Sequence, residues 1–307
     1  MSILSFPERG QGGDSTYRGN CSPKVYEWLV QETRARSLLD PVMGGGTSLD
    51  VALRLGLKAS GSDLSTSPYH QRLKARLERQ GARVELGVDA TRTDLAALFG
   101  QHDLVVAHPA YGTQIVYGSG EGDMSQLGDG DAFLDALQAM TLNMREATTD
   151  GGYYVVIIGD TRKQGRYHSY QGPLLGMLPA SELRAVRIKA QHNVSSAKQD
   201  YGRVRFGLTL HEYVLILQKE LPFFQAFGEV VKAQQARLTG TWKAIVRQAL
   251  TQLGGRADLD TLYDHVFRSA PDRVKQNPNF KAKVRQTLQL LPECQPEERG
   301  IWRLAAA

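Results

Sequence analysis

The stretch Leu38 to Ala52, LLDPVMGGGTSLDVA, constrains the fold of this chain more than any other. A short apolar run ends at Asp40, three consecutive glycines follow, and a helical pattern opens at Ser48 and stops near Gly56. Glycines take positive φ angles and let backbone approach a ligand closely. A helix start leaves N–H groups free to meet an acceptor. Strand, tight turn and helix form the repeating unit of a parallel α/β sheet, and such sheets bind ligands at their carboxyl edge.

The pattern continues downstream. Lys58 to Ser62 reads as a second strand ending at Asp63, Pro68 to Gln80 as a basic amphipathic helix, and Arg83 to Val88 as a third strand ending at Asp89. Asp94 to Phe99 reads as helix and Asp103 to Ala107 as a fourth strand, followed by the tetrad His108-Pro109-Ala110-Tyr111. Pro23 to Thr33 has helical spacing, and residues 1–22 read as an irregular arm. Gly112 to Gly130 reads as a loop, Asp131 to Thr148 as a long helix and Tyr153 to Ile158 as a fifth strand. Leu174 to Ala185 is expected to be helical, Arg187 to Gln191 and Phe206 to Leu210 to be strands, and His211 to Leu217 to be the last sheet strand. Alternating strands and helices imply right-handed crossovers and a mostly parallel sheet.

The tail reads as a separate module. Helices are expected over Thr241–Leu253, Asp258–Phe267 and Asn279–Leu291, then a strand from Arg299 to Leu304, which is the winged-helix pattern. The expected division is a domain over 1–222, a linker helix over 223–238 and a small nucleic-acid-binding domain over 239–307. The net charge of +5 is uneven: from Thr239 to Ala307 there are 11 Lys plus Arg against 7 Asp plus Glu, a net of +4. A basic module points to a polyanionic partner, nucleic acid first, although a solvated surface is the plainer reading. No apolar run approaches the roughly 20 residues of a membrane helix, and no signal peptide is readable at the N-terminus. Cys21 and Cys294 lie far apart and make no metal-ligand spacing, so a reduced cytoplasmic setting without a metal is expected.

The candidate cofactor residues are Asp40, Pro41, Gly44, Gly45, Gly46, Thr47, Asp63 and Asp89. The turn's N–H groups suit a carboxylate and Asp40 suits an amine, which are the two polar groups at the amino-acid end of S-adenosylmethionine. Asp63 stands where an acidic side chain grips ribose hydroxyls, and Asp89 where one accepts from an adenine amino group. Taken singly, a GGG is often a loop and a strand-end aspartate a helix cap. The ordered series Asp40, glycine turn, Asp63, Asp89 and HPAY is the stronger signal. A dinucleotide dehydrogenase would require GxGxxG, which is not present here.

These residues resemble the DNA amino-methyltransferase family, over roughly residues 5–220. The family's cofactor motif reads roughly DPFxGxGT, matched by Asp40-Pro-Val-Met-Gly-Gly-Gly-Thr47, and its tetrad reads Asp, Asn or Ser, then Pro-Pro and an aromatic. Tyr17 to Pro23 resembles the family's N-terminal cofactor wall, and His211 through Lys219 its closing strand. The resemblance implies a Rossmann-like methyltransferase sheet with helices on both faces and S-adenosylmethionine as cofactor. It implies transfer to an exocyclic amino group of a base flipped out of double-stranded DNA, adenine N6 ahead of cytosine N4, in a bacterial or phage setting such as restriction–modification. It also implies roles for the tetrad: His108 and the Pro109 carbonyl accept the amine's N–H groups, and Tyr111 stacks on the base. His108 and Ala110 depart from the family pattern.

On the target side, Lys163, Arg166, Lys198 and Arg203 lie in segments mixing cations, amides and aromatics. Lys281, Lys283, Arg285 and Gln286 fall on the third tail helix, where a winged helix reads the major groove, with Arg299 and Arg303 flanking the wing. Three readings stay open: an active DNA enzyme, a catalytically inactive relative acting as a DNA-binding regulator or anti-restriction protein, and an RNA or protein-glutamine methyltransferase. A homodimer is compatible with each.

Overall fold

The computed structural model describes residues 2–112, 115–118, 122–128, 130–163, 166–192, 209–238 and 242–304. Two compact units, Met1–Phe227 and Gly228–Ala307, divide the chain. The first contains β1 (Ile3–Leu4), α1 (Pro23–Thr33), β2 (Ser37–Asp40), α2 (Thr47–Arg54), β3 (Lys58–Asp63) and α3 (Pro68–Arg79). Next come β4 (Arg83–Leu86), α4 (Leu95–Phe99), β5 (His102–Ala107), α5 (Asp131–Glu146) and β6 (Thr148–Ile158). A small hairpin, β7 (Thr161–Lys163) and β8 (Arg166–His168), precedes α6 (Gln171–Gly176), β9 (Leu183–Ala190) and β10 (His211–Gln218). Helix α7 (Phe223–Leu238) carries the boundary between the units.

Eight strands form one sheet in the order β1-β9-β10-β6-β5-β2-β3-β4. The pairs from β4 to β6 are parallel, and β10 runs antiparallel to both β6 and β9. Alternate residues of each strand face opposite sides, as strand geometry requires. Leu38, Leu104, Val106, Val155, Val214 and Ile216 pack with α1, α2 and α3. Leu39, Val105, Tyr154, Val156, Leu215 and Leu217 pack with α4, α5 and α6. The result is a Rossmann-like three-layer sheet with helices on both faces. Its order reverses at β2, so β2 and β5 open a crevice at their carboxyl ends.

The differences from the sequence reading are local. The N-terminal arm contributes a two-residue edge strand, β1, paired with β9. The expected helix over Leu174–Ala185 ends early, and β9 begins at Leu183, because Leu183, Ala185 and Val186 extend along β10. Of the expected strand Phe206–Leu210, residues 206–208 lie outside the described residues, and 209–210 are not strand.

The second unit has its own core, built on Val246, Leu250, Leu262, Val266, Val284 and Leu288. Its elements are α8 (Trp242–Gln252), β11 (Arg256–Asp258), α9 (Leu259–Ser269), α10 (Pro271–Lys275), α11 (Phe280–Leu290), β12 (Cys294–Glu298) and β13 (Ile301–Leu304). The three strands form an antiparallel sheet in the order β11-β13-β12. The short helix α10 was not expected from the sequence. Pro271 at its first position suits a helix start.

Candidate functional site

A cavity of about 380 Å³ opens at the carboxyl edge of the large sheet. Asp40 ends β2, Asp63 ends β3, Asp89 follows β4, and His108 and Pro109 follow β5; all five line this cavity. Residues spread over seventy positions of sequence thus meet in one place, because parallel strands deliver their C-termini to the same edge. Gly44, Gly45 and Thr47 line it as well. Pro41 and Gly46 are not on its wall. The Pro41 carbonyl accepts the Ser62 hydroxyl at 3.0 Å. Gly46, at φ +74°, starts α2, where a side chain would press on Leu73 and Leu77 at 3.2 Å.

The turn is held open by backbone geometry. Gly44 sits at φ +48°, and a Cβ there would lie 2.9 Å from the Tyr17 ring. A Cβ on Gly45 would lie 3.0 Å from the same side chain. Tyr17 stacks between Tyr69, at 5.5 Å, and Tyr117, at 6.1 Å. The arm carrying it is pinned by Gly13 N–H to Asp50 (2.9 Å) and by the Tyr69 hydroxyl to Asp14 (3.0 Å). The sequence marked this arm as a cofactor wall without singling out Tyr17. Tyr17 and Tyr117 both line the cavity.

The carboxylates differ in what holds them. Asp40 is buried, accepting the Val42 N–H at 3.0 Å and the Ser48 hydroxyl at 2.5 Å. Burial pushes its carboxyl up to about 7, against the pull of those two hydrogen bonds. Asp63 accepts the N–H groups of Gly44 and Ser65, each at 2.9 Å. Asp89 accepts the N–H and hydroxyl of Thr91. Each therefore caps its own turn and also fronts the cavity. His70, which the sequence reading did not select, lines the same cavity 3.8 Å from Asp63. Its Nδ1 is bonded to Ser67, while its buried Nε2 has no hydrogen-bond partner.

The tetrad is arranged differently from the expectation. Tyr111 was expected to present a stacking ring. Instead its ring packs so closely on Gly159 that a Cβ there would lie 2.8 Å away, and its hydroxyl donates to Glu212 at 2.7 Å. The same hydroxyl contacts His108 Nε2. Tyr111 is therefore packed behind His108 and does not line the cavity. Glu212 also accepts from Gln191 at 2.7 Å and from Lys189, its cross-strand neighbour on β9. Burial opposes the Glu212 charge, but Lys189 and His108 outweigh it and hold the carboxyl well below its usual range. The signal for Glu212 was present in the sequence: an acidic residue on the buried face of an apolar strand, in phase with Val214 and Ile216.

The expected nucleic-acid residues fall in both units. Lys163 is on β7, Arg166 is exposed on β8, and Lys198 and Arg203 lie outside the described residues. In the second unit, Lys281, Arg285 and Gln286 are exposed on α11, and Lys283 is half-buried. Lys281 lies over the Tyr263 ring at 5.2 Å, and Arg285 donates to the Tyr263 hydroxyl at 3.0 Å. Lys283 donates to Gln286 at 2.8 Å. Arg299 is exposed in the turn between β12 and β13, and Arg303 on β13. Among the described residues, no cluster of three His, Cys, Asp or Glu side chains is placed to hold a metal.

No protein-family model matches the chain, and no curated protein matches it. Among solved structures it is similar to TrmN from Thermus thermophilus, with 18% identity over 66% of this chain and 50% of that one, and a TM-score of 0.41. It is similar to TehB from Haemophilus influenzae, with 13% identity over 64% of this chain and 62% of that one, also at 0.41. A third is magnesium protoporphyrin IX methyltransferase from Synechocystis PCC 6803 with bound SAM, at 12% identity over 64% and 77% of the two chains and a TM-score of 0.39. The chain thus spans half of the first of these proteins and less than two thirds of the second.

Proposed function

We propose that this chain is an S-adenosylmethionine-dependent methyltransferase acting on an exocyclic amino group of a DNA base, adenine N6 ahead of cytosine N4. One observation carries the reading: three carboxylates at successive strand ends and the His108-Pro109 pair surround a single cavity. The chain's residues fit that cofactor. The glycine turn leaves room where a Cβ would strike Tyr17, and no side chain caps the N-terminus of α2. Asp40 faces the cofactor's amine, Asp63 and His70 its ribose, and Asp89 its adenine end. When bound, the cofactor supplies an electrophilic methyl group on a sulfonium sulfur.

The acceptor nitrogen shares its lone pair with the base ring. His108 and the Pro109 carbonyl accept its two N–H bonds, drawing the lone pair out of conjugation and aiming it into the cavity. Orientation of this kind lowers the barrier by fixing the reacting groups. The base reaches the cavity by flipping from the duplex. In the second unit, the order α8-β11-α9-α10-α11-β12-β13 supports a winged-helix reading. There α11 offers Lys281, Arg285 and Gln286 to the major groove, and Arg299 and Arg303 meet phosphates.

A second reading has its own support. Tyr111 is packed away from the cavity and Ala110 stands where the family has a proline, as expected of an inactive relative that binds cofactor and DNA as a regulator. Incubating the protein with labelled S-adenosylmethionine and duplex DNA, tRNA or protein separates the readings. Label in DNA adenine or cytosine supports the first. Cofactor binding without transfer to any acceptor supports the second. Label in tRNA or protein alone replaces both, and absence of cofactor binding by calorimetry removes the methyltransferase reading altogether.

A further inference from the structure

We propose that Tyr111 and Glu212, anchored by Lys189, fix His108 as its Nε2–H tautomer, so that Nδ1 is the unprotonated nitrogen presented to the substrate's amino group. The proposal rests on the amino-methyltransfer reading for its functional half and on geometry alone for its tautomeric half.

The argument is a count of protons. The ionised Glu212 carboxylate has none, and its Oε1 receives Gln191 Nε2–H and the Tyr111 hydroxyl. Tyr111 has one phenolic proton, and burial with Glu212 alongside keeps it there. With that proton spent on Glu212, the phenol oxygen can only accept from His108 Nε2. An unprotonated Nε2 would set two lone pairs against each other. The 3.6 Å separation of Nε2 from Glu212 Oε1 favours a proton on Nε2 in the same way.

Lys189 decides the charge. It pairs with Glu212 Oε2 and keeps that carboxylate ionised, so Glu212 remains an acceptor for the Tyr111 proton. The charged and titratable groups facing Tyr111 and Glu212 include His108, Lys189, Cys21, Tyr26 and Tyr117. The neutral form of such an Nε2–H imidazole has one acceptor, Nδ1, which has no hydrogen-bond partner among the described residues. In a tetrad whose first residue has only one usable nitrogen, the wrong tautomer would offer the substrate a donor where it requires an acceptor. Tyr111 and Glu212 are thus positioning residues acting through His108. Gly159 belongs to the same arrangement, because only a glycine lets the Tyr111 ring pack there.

Nitrogen-15 NMR of the histidine side chains reads the tautomer directly, with His108 assigned by difference from His108→Gln. Recorded at a pH where the imidazole is neutral, the expected wild-type spectrum has a protonated Nε2 and an unprotonated Nδ1. Tyr111→Phe, which keeps the ring and its packing, is expected to shift His108 to a tautomer mixture. It should lower kcat about tenfold or more, the worth of one misdirected hydrogen bond, with cofactor affinity unchanged. A wild-type spectrum with Nδ1–H, or a Tyr111→Phe spectrum identical to the wild type, would overturn the assignment. Gly159→Ala, which displaces Tyr111 from outside the network, is expected to reproduce the Tyr111→Phe spectrum, and failure to do so also counts against it. If no acceptor is ever methylated, the spectra still decide the tautomer, so the two failures are distinguishable.

Discussion

Asp63 accepts the backbone N–H of Gly44 at 2.9 Å, tying the end of β3 to the middle of the glycine turn that follows β2. The neighbouring strand end does the same from the other side, since Asp40 accepts the Val42 N–H. Two carboxylates from adjacent parallel strands therefore hold one turn in the shape that leaves Gly44 and Gly45 on the cavity wall. This makes the aspartates both ligands in prospect and builders of the cradle, and it sets up opposing demands on Asp40 in particular.

Gly44→Ala is expected to abolish tight cofactor binding with little loss of fold. The residue has φ +48°, where an L side chain is strained, and the new methyl would meet the Tyr17 ring. Calorimetric titration with S-adenosylmethionine should show at least a tenfold weaker Kd, while circular dichroism stays near the wild type. Unchanged affinity would mean that the turn is not the cofactor's seat.

The order of the three aspartates was legible because each strand end is marked locally, by an apolar run meeting Asp and a turn. The network around His108 was not. Tyr111 and Glu212 are separated by 101 positions, and they meet only because β10 inserts antiparallel between β6 and β9. No local pattern encodes that insertion. Tyr17 escaped for a related reason: its arm has no periodicity, and its position follows from single hydrogen bonds such as Gly13 to Asp50. Leu183 to Ala185 reads as the end of a helix in sequence and is strand because Leu183 and Ala185 pair along β10, a tertiary preference that outweighs intrinsic propensity.

His70→Ala is expected to weaken cofactor binding while leaving the fold in place. His70 lines the cavity and its buried Nε2 has no hydrogen-bond partner, and a buried polar atom left unsatisfied costs about 1–3 kcal/mol. A ligand hydroxyl that satisfies it recovers that cost on binding. Calorimetry should show affinity reduced about tenfold or more, and equal affinity would place the ribose elsewhere.

Asp40 and His102 should give the first unit opposite pH dependences. The Asp40 carboxyl, raised to about 7, favours the folded state below pH 4, and that contribution is lost as pH rises from 4 to 7. His102, buried between strands with its Nε2 on Ser60 at 2.9 Å, is pushed down to about 4, first by burial. Its contribution is present above pH 6.5 and is lost as pH falls towards 4. Each is worth about 3–4 kcal/mol at most, so they largely cancel. In melting curves from pH 4 to 8, Asp40→Asn should lose stability in acid and His102→Gln should gain it. Parallel profiles for the two variants would refute both assignments. Asp40→Asn should also lose cofactor affinity at every pH.

Glu182→Gln is expected to destabilise the first unit by about 3–5 kcal/mol, the usual effect of removing the buried partner of a buried charge; Arg145 would keep only the more exposed Glu146 as its ion-pair partner. Glu182 accepts from Arg145 Nε and Nη2, from the Tyr154 hydroxyl at 2.6 Å and from the N–H groups of Glu220 and Leu221. It thus joins α5, β6 and the exit of β10, far in role from the cavity. Urea unfolding should show the loss, and cofactor Kd measured well below the midpoint should not change. A loss under 1 kcal/mol would show that the cluster contributes little net stability.

The second unit makes the sharpest demand on the DNA reading, because Tyr263 holds two of its cations. Lys281 lies over the Tyr263 ring and Arg285 bonds its hydroxyl, so both side chains are pre-positioned on one face of α11. If they meet phosphates, Lys281→Ala and Arg285→Ala should each reduce the slope of log Kd against log salt by about 1, whatever the DNA sequence. Tyr263→Phe keeps both charges but frees Arg285 from its anchor. It should weaken binding less than Arg285→Ala and leave the slope unchanged, since no charge is lost. Gln286→Ala, by contrast, should alter the preference among DNA sequences and not the slope, because an amide reads base edges and neutralises nothing. Fluorescence anisotropy over a salt series measures all four variants. If slopes and preferences match the wild type throughout, α11 is not the surface that meets DNA, and the unit's excess of positive charge is only a solvated face.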